Sequence, residues 1–290
     1  MIRVLGTIFA GLLGLAFGSF LNVCLSRWPK GESIAHPRSH CRSCGRTLAW
    51  WENVPLVSWL ALRGRCRTCG ARISWRYPLV ELAVGALWAV AAWQSLYSIL
   101  LPDAQTPQLA VADALGKMIF YWMLVALTAL DAEHLWLPNF ITLPGIALGL
   151  ILTTILASLD DSWWQQRLSW KSGFLQDLLA IVVAAGVVLV TRWLYWLLRR
   201  REGVGLGDAK LMAMLAAWLG LEGALLSFVI GVALGAIVAI VLLVAPSMHR
   251  DKQRWAFTKL PLGTFLCVGG IVSGFWGEPI IHAYMRWAGF

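Results

Sequence analysis

The chain has 290 residues, 59% hydrophobic and only 13% charged, with 24 Lys and Arg against 15 Asp and Glu for a formal net charge of +9. With a mean hydropathy of +0.69, this composition excludes a soluble globule of average composition and points to a polytopic membrane protein. The basic residues cluster in particular loops, so the charge is a signal of topology before it is one of nucleic-acid binding.

Apolar stretches near the length that crosses about 30 Å of hydrocarbon run over Val4–Val23, Pro78–Leu101, Met118–Leu130, Phe140–Leu159, Leu175–Leu198, Leu211–Leu219, Ala224–Pro246 and Leu260–Ile281. They predict an all-α fold of about eight transmembrane helices, two of them short. The first stretch follows Met1-Ile2-Arg3, is too long for a cleaved signal, and reads as a retained signal anchor. Its Leu21-Asn22-Val23-Cys24 lacks the small residues of a lipoprotein cleavage box.

Ten Arg or Lys lie between Cys24 and Tyr77, four more at Arg199, Arg200, Arg201 and Lys210, and four at Arg250, Lys252, Arg254 and Lys259. The positive-inside rule places these loops in the cytoplasm and the basic-poor loops around Asp103 and Asp160 on the other side. Asp131 and Asp208, each where an apolar run gives way to polar residues, then share the cytoplasmic side.

The long polar segment between the first two spans carries Cys41-Arg42-Ser43-Cys44 and Cys66-Arg67-Thr68-Cys69. Two Cys-x-x-Cys knuckles supply four thiolates to one tetrahedral zinc and leave no open position, so the metal is structural. A segment of about 50 residues holds too little core to fold without such a staple. Gly45 and Gly70 follow each second cysteine, where a knuckle turn needs positive φ. Two disulfides are the competing arrangement, disfavoured in a reducing cytosol; His36 and His40 are spare ligands beside a complete set. The arginines around the knuckles have a sufficient explanation in anionic headgroups, so nucleic acid is not an expected partner.

Further along, Asp208 stands in Gly203-Val204-Gly205-Leu206-Gly207-Asp208-Ala209-Lys210. An ionisable residue at the edge of an apolar span is a functional hypothesis by default, although a lone Asp at a helix start is often only a cap. Two carboxylates that share a proton can activate water and polarise a peptide carbonyl together. Glycines at alternate positions before Asp208 are expected to leave room for an extended peptide backbone.

With these residues in view, the chain resembles the type IV prepilin peptidases, bifunctional leader peptidases and N-methyltransferases of the GxGD aspartic protease group. The resemblance runs through Gly18-Ser19-Phe20-Leu21-Asn22-Val23, Asn53 to Leu60, Ile73 to Glu81, Asp131 with Leu137-Pro138, Gly203 to Lys210, and Pro261-Leu262-Gly263. It implies that Asp131 and Asp208 are the catalytic pair, with Gly205, Gly207 and Lys210 in support. It implies cleavage of the leader of prepilins or pseudopilins at the cytoplasmic face of a bacterial inner membrane, followed by methylation of the new N-terminus with S-adenosylmethionine. The implied division is residues 1–23 as first transmembrane helix, 24–77 as cytoplasmic zinc module and 78–290 as transmembrane peptidase domain. Asn139 departs from the family, many of whose members carry aspartate there.

The sequence holds no Gly-x-Gly-x-x-Gly turn of the dinucleotide-binding kind for the methyl donor; Glu52 and Glu81 are candidate contributors, set against an exposed acid and an acid paired with Arg76 or Arg72. Glu133 and His134 are neighbours that can tune Asp131. The stripes Gly11, Gly14, Gly18 and Gly231, Gly235 pack helices closely or receive a substrate helix. Tryptophans near span ends (Trp50, Trp51, Trp163, Trp164, Trp287) form an interfacial belt, and Cys24 and Cys267 are apolar packing residues. The rival of another class is a transporter or channel with a regulatory zinc module, disfavoured because both carboxylates lie toward one face.

Overall fold

The computed structural model describes residues 1–97, 99, 106–159, 173–200, 205–244 and 260–289. Gly203, Asp103, Asp160, Trp163, Trp164, Arg201 and the basic residues from Arg250 to Lys259 lie outside them. The helices are α1 (Ile2–Arg27), α2 (Val57–Ala61), α3 (Arg76–Ser95), α4 (Pro107–His134), α5 (Asn139–Leu159), α6 (Gly173–Arg199), α7 (Leu206–Val244) and α8 (Leu262–Ala288). The chain divides into two compact units, Met1–Ala126 and Leu127–Phe290, with the boundary inside α4.

Among the described residues six helices are long and apolar enough to cross a membrane: α1, α4, α5, α6, α7 and α8. The count differs from eight for two reasons. The stretches expected over Leu211–Leu219 and Ala224–Pro246, the second described as far as Val244, both fall within α7, but the backbone at Gly220 (φ 70°, ψ 179°) is not helical, so α7 is two helices meeting at a kink that lies between the two expected stretches. The other difference is α3, whose 20 residues include Arg76, Glu81 and Gln94 and which is not one of the six. Outward-facing apolar side chains on α6 and α7, among them Leu179, Val182, Val229, Ile237 and Ile240, are what lipid contact requires.

In the first unit α1 and α3 pack backbone against backbone. A methyl group added at Gly14 would lie 2.9 Å from the Gly85 Cα, and one at Gly18 would lie 2.7 Å from the Glu81 Cα. In the second unit Gly231 lies against the Leu266 backbone of α8, and Gly235 faces the Phe265 ring. Both stripes are thus filled by the protein's own helices, and the alternative of a substrate helix seated on them is corrected.

The second unit is organised around the first half of α7. Ala209 and Leu211 through Ala217 are all buried, so this segment is enclosed on every side, as a helix apolar all round demands. Trp218 Nε1 donates to the Gly145 carbonyl at 2.8 Å, which ties α7 to α5.

Candidate active site and metal centre

The tetracysteine segment is two copies of one knuckle, 25 residues apart. In the first, Gly45 N–H donates to the Cys41 carbonyl at 2.9 Å and Cys41 N–H to the Arg46 carbonyl at 2.9 Å; in the second, Gly70 N–H donates to Cys66 at 3.0 Å and Cys66 N–H to Ala71 at 2.8 Å. Bridges His40 to Thr47 and Arg65 to Arg72 close the bases of the two turns. Gly45 and Gly70 both take φ of 69°, the left-handed conformation that the sequence pattern required.

The four Sγ atoms lie within 4.8 Å of one another, and Cys41 Sγ is 3.8 Å from Cys69 Sγ. A zinc ion with Zn–S of about 2.3 Å sets tetrahedral sulfurs about 3.8 Å apart, so the donors fit such an ion in chemistry and spacing. All four cysteines are free thiols, against the arrangement with two disulfides. Amide N–H groups of Cys69 and Thr68 bring the Cys66 thiol down to about 6, and those of Cys44 and Ser43 lower Cys41. Cys69 accepts from the Ala71 N–H, yet desolvation and the sulfurs of Cys66, Cys41 and Cys44 push it up to about 11. Four sulfurs this close cannot all ionise until a cation joins them.

Beside the knuckles Glu52 is buried, not exposed. Arg46 Nη2 donates to its Oε1 at 2.6 Å and the Ala49 N–H to its Oε2 at 2.8 Å, and the Arg46 guanidinium holds this carboxyl below its ordinary range. With both oxygens engaged inside the module, Glu52 does not fit the role of cofactor contact. Glu81 accepts the Leu56 N–H at 2.8 Å.

Asp131 and Asp208 both belong to the second unit and both are buried, 5% and 8% exposed. Asp131 occupies the last turn of α4. Its Oδ2 accepts the Thr264 N–H at 2.6 Å, with the Thr264 hydroxyl at 3.2 Å. Asp208 is the third residue of α7, and its Oδ2 accepts the Gly205 N–H at 3.0 Å. That is half of a capping box, in which an acid in the first helical turn reaches back to an otherwise orphan N–H. Each carboxyl is therefore held through one oxygen, and the other accepts no hydrogen bond among the described residues.

Leu137 packs against glycines that stand beside the two aspartates. A Cβ built at Gly263 would sit 2.9 Å from Asp131 Oδ2 and 2.9 Å from Leu137 Cδ1, and one at Gly207 would sit 3.1 Å from Leu137 Cβ. Gly207 is bare because Leu137 fills that space, which corrects the expectation that its missing side chain leaves room for a peptide. Asp131 and Asp208 lie near enough to act on each other electrostatically.

The remaining expectations fall around this pair. Lys210 Nζ donates to Asn139 Oδ1 at 2.7 Å, so it braces the start of α5 against α7. Asn139, the departure from the family pattern, is thus part of the frame. Glu133 and His134 approach each other at 3.8 Å at the partly exposed end of α4. Cys24 and Cys267 are fully buried, as packing residues are. Thr264 escaped the sequence reading, although it directly follows Pro261-Leu262-Gly263.

Fold and geometry define a polytopic helical protein with a buried two-carboxylate cluster and a four-thiol cluster. Two family models match it, the Bacterial Peptidase A24 N-terminal domain over residues 12–95 and the Type IV leader peptidase family over residues 118–240. The prepilin leader peptidase/N-methyltransferases of Stutzerimonas stutzeri and Pseudomonas aeruginosa are each 33% identical to it, over 96% of this chain and 93% of theirs. That of Burkholderia pseudomallei is 36% identical over 93% of this chain and 85% of its own. No solved structure matches. The chain belongs to the type IV leader peptidase family.

Proposed function

We propose that this protein is an aspartic endopeptidase of the bacterial inner membrane that removes the leader of prepilins or pseudopilins and then methylates the new N-terminus. Asp131 and Asp208 form the catalytic pair at the cytoplasmic face. The observation that carries this is the arrangement of two buried carboxyls, each fixed through Oδ2 and each with its second oxygen uncommitted.

Working as a pair, the two carboxyls hold one proton between them, since double ionisation is resisted. The ionised member accepts a proton from water while the resulting hydroxyl attacks the scissile carbonyl carbon. The protonated member donates to the carbonyl oxygen, which leaves a tetrahedral diol. Return of a proton to the amide nitrogen breaks the C–N bond and frees the mature N-terminal amine. Thr264 and Gly205 keep the two carboxyls from turning away during this exchange, and the Leu137 contact sets their spacing.

Cys41, Cys44, Cys66 and Cys69 hold a structural zinc in a cytoplasmic module over residues 24–77, between a first transmembrane helix over 1–23 and the membrane peptidase domain over 78–290. Eight spans, with α3 and the two halves of α7 counted separately, give the orientation that the loop charges favour. S-adenosylmethionine supplies the methyl group. No observation favours a transporter or channel. Incubation of the purified enzyme with a prepilin precursor and labelled S-adenosylmethionine tests the proposal: leader loss followed by label on the mature chain is expected, and a precursor left intact by folded enzyme contradicts it.

A further inference from the structure

The first unit contains a buried polar cluster that the peptidase chemistry does not use. Asn22 on α1 is 2% exposed and Glu81 on α3 is 7% exposed. Asn22 Nδ2 donates to the Tyr77 carbonyl at 2.9 Å. That bond fixes which way the amide points, because only the nitrogen can serve a carbonyl acceptor. Asn22 Oδ1 then faces away, buried and without a hydrogen-bond partner. A buried acceptor left unsatisfied is costly and calls for an explanation.

Glu81 presents a second acceptor set. Its Oε2 accepts the Leu56 N–H, and Ser19, on the same face of α1 as Asn22, lies near enough to act on the carboxylate. Both groups acting on Glu81 are neutral, although a buried carboxylate is ordinarily matched by a cation. The glycine contact between Gly18 and Glu81 Cα fixes this cluster rigidly between the two helices.

Leu56, which covers the carboxylate, is itself strained. It has φ of 59° and ψ of −48°, and the Val57 N–H reaches the Pro55 carbonyl at 2.6 Å across it. This is a γ-turn of the unfavourable hand, held by a residue with a side chain. Strain of this kind persists where the surroundings impose it, and it concentrates at functional sites. Here it aims one N–H at Glu81.

We propose that Glu81 and Asn22 form an amine site, which receives the free α-amine of the processed polypeptide and holds it for methylation. This rests on the methylating half of the function proposed above. The chemistry selects the ligand: two buried oxygen acceptors with no cation suit a group that brings several N–H donors and a positive charge. The Leu56 N–H occupies the place of one of those donors until the amine displaces it. Glu81 accepts one proton from the ammonium, and the freed lone pair attacks the methyl carbon of a sulfonium donor. The C–N bond forms as the C–S bond breaks, the sulfur leaves with the electron pair as a thioether, and the N-methyl ammonium carries the charge. Asn22 Oδ1 keeps a second amine proton, which orients the lone pair. Titratable groups near this end of the two helices are Cys24 and Arg27 on α1 and Arg76 and Tyr77 on α3; the Arg27 guanidinium donates to the Ser33 and Pro37 carbonyls.

The test uses the full-length enzyme in detergent and a synthetic apolar peptide of about 20 residues, with a free α-amine or N-acetylated. It needs no leader removal, so its outcome is independent of the peptidase. Without a methyl donor, wild type is expected to bind the free-amine peptide at least about tenfold more tightly than the acetylated one, a difference of about 1.4 kcal/mol. Glu81→Gln abolishes that preference. With S-adenosylmethionine it slows methylation about tenfold at neutral pH, and the defect shrinks as pH rises past the ordinary amine value of about 8, because the amine then arrives deprotonated. Asn22→Leu weakens binding of the free-amine peptide alone, and it carries the test if Glu81→Gln fails to insert. Equal binding of both peptides to wild type, a preference unchanged in the variants, or a Glu81→Gln defect equal at every pH overturns the proposal. A preserved preference with no methyl incorporation by wild type supports the amine site and refutes the methylating function.

Discussion

In the tetracysteine module each ligand is positioned by its immediate sequence neighbours, and the same short turn is used twice. In the carboxylate pair Asp208 is held locally by the Gly205 N–H, but Asp131 is positioned from afar, by Thr264 and beside Gly263 and Leu137. The module is proposed to fold around a zinc ion, so its expected weak point is the metal. The aspartates sit in a frame made by packed helices, so their weak points are the contacts that fix a carboxyl oxygen. A local site tolerates change elsewhere, whereas a site assembled from separate helices does not.

Several substitutions separate the two modes. The largest effect is expected from Asp131→Asn and Asp208→Asn, each of which removes a proposed proton-transfer group and should lower leader cleavage by about 10²–10⁴-fold while zinc content stays near one per chain. Cys41→Ser or Cys66→Ser should reverse this pattern. Metal analysis should show zinc lost, and the module should become protease-sensitive, since binding energies of about 10–16 kcal/mol hold such sites folded. Gly263→Ala places a carbon against Asp131 Oδ2 and should cost cleavage about 10²-fold through misplacement alone, with insertion and zinc intact. Thr264→Val removes the hydroxyl and keeps the N–H, so a loss of about tenfold is expected, within the range of one charge-assisted bond. Smallest is Asn139→Asp, which turns the Lys210 contact into an exposed ion pair; thermal unfolding should register at most about 1 kcal/mol.

The difference between the regions also decides what could be read from the sequence. The knuckles were legible because Cys-x-x-Cys-Gly carries both the ligands and the turn that presents them. Asp131 and Asp208 were legible by their position at the ends of apolar runs and by the glycines before Asp208. Thr264 was not, because its N–H reaches Asp131 across 133 positions and no local pattern announces a backbone donor. The role of Gly207 was misread for the same reason: only packing reveals that Leu137 takes the space. Apolar length gave the helices, and the interruption between Leu219 and Ala224 marked the kink at Gly220, where the backbone leaves the helical conformation. Asn22 entered only as part of the Gly18 to Val23 motif, and its unpartnered oxygen became visible only with Tyr77 in place.

Leader removal by purified wild type, Asp131→Asn and Asp208→Asn, measured on one prepilin precursor with zinc content determined on the same preparations, tests the pairing of the two aspartates most directly. Loss of cleavage in both variants with zinc retained is the expected result. Cleavage at the wild-type rate by either folded variant contradicts it.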